Sequence, residues 1–291
     1  ICATLLTEEE VIIRNIPEIR DVLKLIDILK EIGVEVTRLQ KGEYSFCSKN
    51  ANPDNTKTER FTKLASSLRG SVMILGPMLS RFGKGFIPQP GGDKIGRRRL
   101  DTHFLGFQTL GAEFIFNSKE KYYEISGEKL KGAYMLLDEA SVTGTANIIM
   151  AATLTPGITT IYNAACEPYI QQLCDMLVSM GAIISGIGSN LLIIHGVRSL
   201  SGCTHTILPD MIEVGSFIGL AAMTNSEITI KNARIDKLGI IPSSFKRLGI
   251  KMEFINDDIY IPIQDHYEIE SFIDGSIMTI ADAPWPGLTP D

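Results

Sequence analysis

The sequence predicts an α/β protein of two domains, assembled from copies of one small unit. A strand, a helix, a glycine and a second strand follow one another over residues 7–39, and the same order returns over 154–194 and 223–254. Successive copies start about seventy to seventy-five residues apart, too far for a solenoid repeat and suited to a multi-unit α/β domain. At 291 residues the chain is long enough for two cores.

Taken in order, residues 1–6 read as the inside of an apolar helix, and 7–15 as a turn leading into a β-branched strand. After Pro17, the residues Ile19, Val22, Leu23, Leu25, Ile26 and Leu29 fall at helical spacing; Gly33 ends that helix, and 34–39 alternates as a strand should. Residues 48–57 are polar and turn-rich, an expected exposed excursion. A less obvious copy has 81–86 as its strand side and 105–114 as its helix end and following strand. In the next copy, 154–163 is a strand. Ile170, Leu173, Met176, Leu177 and Met180 mark a helix closed by Gly181, and 191–194 is a further strand. Ser199, Ser201, Gly202 and Pro209 interrupt the pattern, which places a boundary between 1–207 and 208–291. The last copy, starting at 223–232, runs out in a Pro-rich loop at 283–290. No initiator Met opens the chain and its final unit looks unfinished, so further sequence is expected at both ends.

Composition excludes several classes. Hydrophobic residues make up 44% and charged residues 21%, ordinary for a soluble globular protein. A net charge of −6 argues against a nucleic-acid binder, and no apolar run is long enough to span a membrane. The five cysteines, Cys2, Cys47, Cys166, Cys174 and Cys203, are odd in number and contain no Cys-x-x-Cys pair, which suits a reducing cytoplasm. The four histidines are scattered, so no metal site is expected. His195 and His266 read as structural, and His205 falls in the presumed linker. Glu167 and Asp210, each beside a proline, read as helix caps.

Against this acidic background one stretch reverses sign. Residues 90–103 contain Gly91, Gly92 and Gly96 with Lys94, Arg97, Arg98 and Arg99, and also Asp93, Asp101 and His103. Glycines free the backbone to expose amides, and the cations offer donors to a multiply anionic small molecule. A solvated basic loop would explain the cations alone, but not the carboxylate of Asp93 between glycine hinge and cations. Upstream, Arg69 stands beside Gly70 at the mouth of an apolar run, placed either to clamp a phosphate or merely to flank a helix.

These residues also carry a resemblance. Arg69-Gly70-Ser71, Leu75-Gly76-Pro77, Arg81-Phe82-Gly83, Pro90-Gly91-Gly92-x-x-Ile95-Gly96-x-Arg98, Asp101 and His103 resemble the UDP-N-acetylglucosamine enolpyruvyl transferases of the EPSP synthase-like family. So do Ser141-Val142, Asn163-Ala164-Ala165, Glu167-Pro168, Leu208-Pro209-Asp210 with Ile212-Glu213, and the run Pro286-Gly287-Leu288-Thr289-Pro290-Asp291. The resemblance spans residues 4–291. It implies a two-domain inside-out α/β barrel, with one three-unit domain complete through about residue 207 and part of a second over 208–291. It also implies transfer of the enolpyruvyl group of phosphoenolpyruvate to the 3′-hydroxyl of UDP-N-acetylglucosamine with release of phosphate. That is a cytoplasmic bacterial step opening peptidoglycan synthesis, with no cofactor, metal, nucleic acid, membrane or required protein partner.

By the same resemblance, Asp93 is the mobile-loop acid and Asp291 faces the sugar hydroxyl. Arg69 and Arg98 contact phosphoenolpyruvate, Arg98, Arg99, Leu100, Asp101 and His103 lie along the nucleotide, and Ser141 and Val142 sit near its diphosphate. The chain departs from the family at Asp93, where most members carry cysteine, so insensitivity to the thiol-alkylating antibiotic fosfomycin is expected. Glu139 and Thr143 replace a common lysine and glycine, and Met211 a common arginine. A Lys-Asn pair that members carry just before the position of Ile1, and arginines beyond Asp291, are absent, so the chain as written is expected to be impaired. The competing reading is a non-catalytic nucleotide-sugar binder in which Asp93 marks lost chemistry.

Overall fold

A computed structural model describes residues 1–91 and 99–289. The chain divides into two compact units, Ile1–Ile207 and Leu208–Asp291.

In the first unit, a buried 3-10 helix at Cys2–Leu6 leads into β1 (Val11–Arg14), α1 (Arg20–Ile32), β2 (Glu35–Gln40) and β3 (Glu43–Cys47). Next come α2 (Glu59–Ala65), a 3-10 helix at Arg69–Ile74, α3 (Leu75–Phe82), β4 (Lys84–Pro88), α4 (Asp101–Thr109), β5 (Glu113–Asn117) and β6 (Tyr122–Ser126). The unit closes with β7 (Tyr134–Leu136), α5 (Val142–Thr153), β8 (Ile158–Tyr162), α6 (Pro168–Ser179), β9 (Ile183–Ser185), β10 (Leu191–His195) and β11 (Cys203–Thr206). The second unit holds α7 (Met211–Met223), β12 (Ile228–Ile230), α8 (Ile241–Arg247), β13 (Glu253–Ile255) and β14 (Asp258–Ile261).

The repeat is therefore βαββ, one strand more than the sequence shows. In each copy the third strand lies between the first and second: β1-β3-β2, β4-β6-β5, β8-β10-β9 and β12-β14-β13, all antiparallel. Two sheets gain a parallel edge, β11 on β1 and β7 on β8. Turn chemistry explains the recurrence. After each copy's helix the chain passes through a glycine in the left-handed region, Gly33, Gly111, Gly181 and Gly249, where a β-carbon would be strained. In three copies the first strand ends at an asparagine of positive φ, Asn15, Asn163 or Asn232, a residue that tolerates this conformation. In the copy led by β4 no such asparagine follows; the strand runs into Gln89 and Pro90.

In the first unit helices lie inside and the sheets outside. Helix α5 is buried at every position from Gly144 to Thr153, and α3, α4 and α6 pack on it. Its small and aliphatic residues let neighbours approach on all sides, as in a helix that is apolar all round. The strands β8 and β10 alternate buried and exposed positions, so one face meets the helices and the other meets solvent. This is the inside-out arrangement that the motifs imply.

Residues 1–6 do form a buried apolar helix, of the 3-10 kind over Cys2–Leu6. Several expectations need correction. The 48–57 stretch is not wholly exposed: Ser48 and Thr56 are buried, Ser48 donating to Thr4 O at 2.9 Å. Arg81 and Phe82 close α3 and do not begin a strand, because Gly83 supplies a left-handed cap. Residues 203–206 are no linker but a strand zipped to β1, which puts His205 in a sheet. Met223 ends α7 and only Ile228–Ile230 forms the strand that follows.

Gly76, in the first turn of α3, sits so close to α5 that a β-carbon there would overlap Asn147 O and Oδ1. Gly76→Ala is expected to lower stability by about 1–3 kcal/mol, as overpacking against backbone does, measured as a reduced urea midpoint with unchanged m-value.

Candidate functional site

The site grows from two helix starts that meet. Helix α4 begins at Asp101 behind Leu100, and α5 at Val142 behind Ser141. Ser141 caps α5 as the sequence type requires: Oγ accepts from Gly144 N at 3.2 Å. Gly144 lets α4 approach, since a β-carbon there would stand 2.8 Å from Thr102 Cγ2. Across the same seam Thr102 Oγ1 donates to Glu139 Oε1 at 2.9 Å.

On the solvent side of α4 lies a cleft of about 470 Å³, lined by Arg69, Arg99, Leu100, Asp101, the Gln89-Pro90 corner and an aromatic wall. The wall is stacked, with ring centroids of Phe104 and Phe114 at 4.1 Å, Phe104 and Tyr123 at 4.9 Å, and Phe116 and Tyr123 at 4.8 Å. Arg69 opens its 3-10 helix and donates from Nη2 to Arg99 O at 3.2 Å. Arg99 Nε pairs with Asp101 Oδ2 at 2.8 Å, and Asp138 Oδ2 is 3.8 Å from its Nη2. The aspartates hold Arg99 extended along the rim, and Asp101 in the first turn of α4 also suits that end's dipole. A cleft of this size with an apolar wall and guanidinium groups at its lip suits a small anionic ligand carrying a flat or apolar part.

The structure thus brings Arg69, Arg99, Leu100 and Asp101 together. Ser141 and Val142 stand across the α4–α5 seam, and His103 joins the two sides from within. It is 1% exposed, with Nδ1 3.0 Å from Asn147 Nδ2 and Nε2 3.2 Å from Thr143 Oγ1. Burial, with the Arg69 charge adding to it, pushes its pKa down to about 4. Its side chain therefore does not line the cleft. Asp93, Arg98 and Asp291 lie outside the described residues.

Asn147 and Thr143 are the residues that residue-by-residue reading missed as partners of His103. The signal was present: an asparagine in the middle of an apolar helix demands buried partners. Of the caps, Asp210 is one, Oδ1 accepting from Ile212 N at 2.9 Å and Glu213 N at 3.4 Å. Glu167 precedes α6 without a side-chain cap bond and is buried, its Oε2 lacking a partner among the described residues. His195 and His266 are exposed on a strand end and in irregular chain. The described residues hold no group suited to a metal ion, and no helix among them is long and apolar enough to cross a membrane.

The fold is that of an enolpyruvyl transferase: the enolpyruvyl transferase NikO from Streptomyces tendae superposes with a TM-score of 0.75 at 18% identity, over 90% of this chain and 61% of NikO. A family model, EPSP synthase (3-phosphoshikimate 1-carboxyvinyltransferase), matches residues 1–289. The chain belongs to this family. It is 66% identical over its whole length to a UDP-N-acetylglucosamine 1-carboxyvinyltransferase of Bacteroides fragilis, covering 67% of that relative. It is 46% identical to one of Borreliella burgdorferi, covering 66%. It spans about two thirds of the length of these relatives.

Neutral, buried His103 makes stability depend on pH. In the unfolded chain a histidine titrates near about 6.5, and in the fold near about 4. Between these values only the unfolded state takes up the proton, so this contribution is full above pH ~6.5, falls with pH, and is gone by pH ~4. The loss totals on the order of 3 kcal/mol. Urea unfolding at pH 7.5 and 5 should show a smaller difference for His103→Gln than for the parent.

Proposed function

We propose that the protein transfers the enolpyruvyl group of phosphoenolpyruvate to the 3′-hydroxyl of UDP-N-acetylglucosamine, releasing phosphate. The observation that carries this reading is the cleft beside α4. Two guanidinium groups and an aromatic wall there suit a small anionic ligand with a flat part, in a chain 66% identical to a relative named UDP-N-acetylglucosamine 1-carboxyvinyltransferase, which supports the reading.

The chemistry is an addition followed by an elimination. The enol carbon takes a proton as the sugar oxygen attacks the adjacent carbon and loses its own proton; phosphate then leaves as the methyl carbon gives a proton back. Such a path needs an acid, a base and cations for phosphate and carboxylate. Arg69 and Arg98 bind phosphoenolpyruvate, and Arg99, Leu100, Asp101 and His103 with Ser141 and Val142 form the nucleotide side. Asp93 delivers the proton and Asp291 receives the one from the sugar hydroxyl. A free aspartate titrates near about 3.9, and cations lower it; the bound dianionic substrate raises it, so Asp93 becomes an acid in the complex. A carboxylate is a poor nucleophile toward fosfomycin, which makes the enzyme insensitive. The reading places the protein in the cytoplasm, at the start of peptidoglycan synthesis, without a cofactor.

Phosphate release from phosphoenolpyruvate plus UDP-N-acetylglucosamine tests this in the full-length protein. Turnover is expected, with Asp93→Asn reducing kcat by at least about a hundredfold, the typical contribution of a positioned proton donor. Binding of the nucleotide sugar without turnover would replace the transferase by a binder. A second outcome separates the acid from its identity: Asp93→Cys should keep activity and acquire time-dependent inactivation by fosfomycin. An unchanged inhibition curve would remove the proposed basis of insensitivity.

A further inference from the structure

We propose that the solvent face of the β7-β8-β10-β9 sheet is an interface through which the full-length protein pairs with a second copy of itself. The inference is independent of the transferase reading, because this face is turned away from the helices.

The register of the sheet sets out what the face carries. Leu136, Tyr162 and Leu191 stand abreast on β7, β8 and β10. The next row runs Tyr134, Thr160, Ile193 and Ser185, and the one after it Ile158, His195 and Ile183. The positions between these rows, such as Met135, Ile161, Leu192 and Ile194, are buried against the helices, so the alternation is strict. A sheet packed on one side normally turns polar residues to water on the other. Here Tyr134, Leu136, Ile158, Tyr162, Ile183 and Leu191 are turned there instead, each between 40% and 64% exposed. No Asp, Glu, Lys or Arg stands in any of the three rows.

The other sheets of the same unit differ. On the outer face of the sheet led by β4, Lys84, Glu113 and Glu124 are charged, and Glu124 pairs with Lys57 at 2.8 Å. On the sheet led by β1, Arg14 pairs with Glu43 at 2.8 Å. The fold itself therefore does not require an uncharged outer face.

Area and charge choose a second copy as the occupant. At about half exposure a large side chain offers on the order of 100 Å². The six together give roughly 600 Å², the upper end of what a monomer commonly leaves open in one apolar patch. Thr160, Ile193, Ser185 and His195 bring the face close to the ~800 Å² that each partner gives to a standard interface. The chain has a net charge of −6, so two copies repel each other over most of their surface. Two-fold pairing sets a patch against its own copy, where any charge would meet its like. This face holds none. Twisted sheets pack face to face with their side chains interdigitated, and Tyr134 and Tyr162 are the aromatic anchors that such contacts favour.

Sedimentation equilibrium of the full-length protein should show a dimer with a Kd of about 1 μM or tighter, within the range of interfaces of this size. The double variant Leu136→Lys with Tyr162→Lys should weaken it at least about a hundredfold, because like charges then meet across the pair. Both side chains are exposed, so the fold is kept, and an unchanged far-UV circular dichroism spectrum checks this. Thr37→Lys, an equally exposed change on β2, should leave the dimer intact. An equimolar mixture of the lysine double variant with Leu136→Glu plus Tyr162→Glu should return to the dimer mass, since opposite charges then face each other. A monomeric parent would overturn the proposal, whether the face is then bare, covered by the part of the chain outside residues 1–291, or taken by another protein. A dimer that survives both charged double variants, one that Thr37→Lys breaks equally, or a mixture that stays monomeric would overturn it as well.

Discussion

Everything near the site hangs on one side-chain amide. Asn147 is fully buried in the central helix, and its hydrogen bonds reach Gly76 at the start of α3, Val72 in the preceding 3-10 helix, and His103 in α4. Arg69 begins that same 3-10 helix and Arg99 precedes α4, so the amide fixes the frame from which both guanidinium groups extend. An apolar residue could fill the volume, but it would strand the N–H of Gly76 and a ring nitrogen, each costing about 1–3 kcal/mol when left buried without a partner. The polarity of the core and the placement of the lip are therefore one constraint.

The repeated unit explains why the site lies where it does. In three of four copies an asparagine of positive φ turns the chain sharply after the first strand. Asn163 also ties its turn to the sheet edge, Nδ2 donating to Leu137 O at 3.0 Å. The copy led by β4 gives up this turn and takes Gln89, Pro90 and Gly91 instead, followed by the basic stretch that ends at α4. The candidate cleft adjoins the copy whose first turn departs from the other three. The strand before that turn and the helix after it, β4 and α4, keep their places in the repeat.

Much of this was legible in the chain. Helical spacing from Ile19 to Leu29, the cap at Gly33 and the strand after it read correctly because local turn chemistry and periodicity agree there. The boundary region read less well. Cys203 to Thr206 looks like a linker because Gly202 and Pro209 flank it; it is a strand because β1 offers an open edge almost two hundred residues earlier, which no local window contains. Phe104, Phe114, Phe116 and Tyr123 form one wall only after α4, β5 and β6 have folded together. Arg69 and the Asp101–His103 segment stood out from charge and company, whereas Thr143 was visible only as a departure from a motif.

That departure acquires a physical sense from the imidazole behind it. Where Thr143 stands at the start of α5, a bare backbone would offer only amide hydrogens. A solvent-exposed threonine rotates freely and loses rotamer entropy when it is held in one orientation. His103, kept neutral by burial and held in one tautomer by Asn147, donates from Nε2 to one of the two lone pairs of Thr143 Oγ1. That bond forms with the fold, so the order of the side chain is gained in the folding step. The pH sensitivity that a buried histidine brings to the fold is the counterpart of that gain.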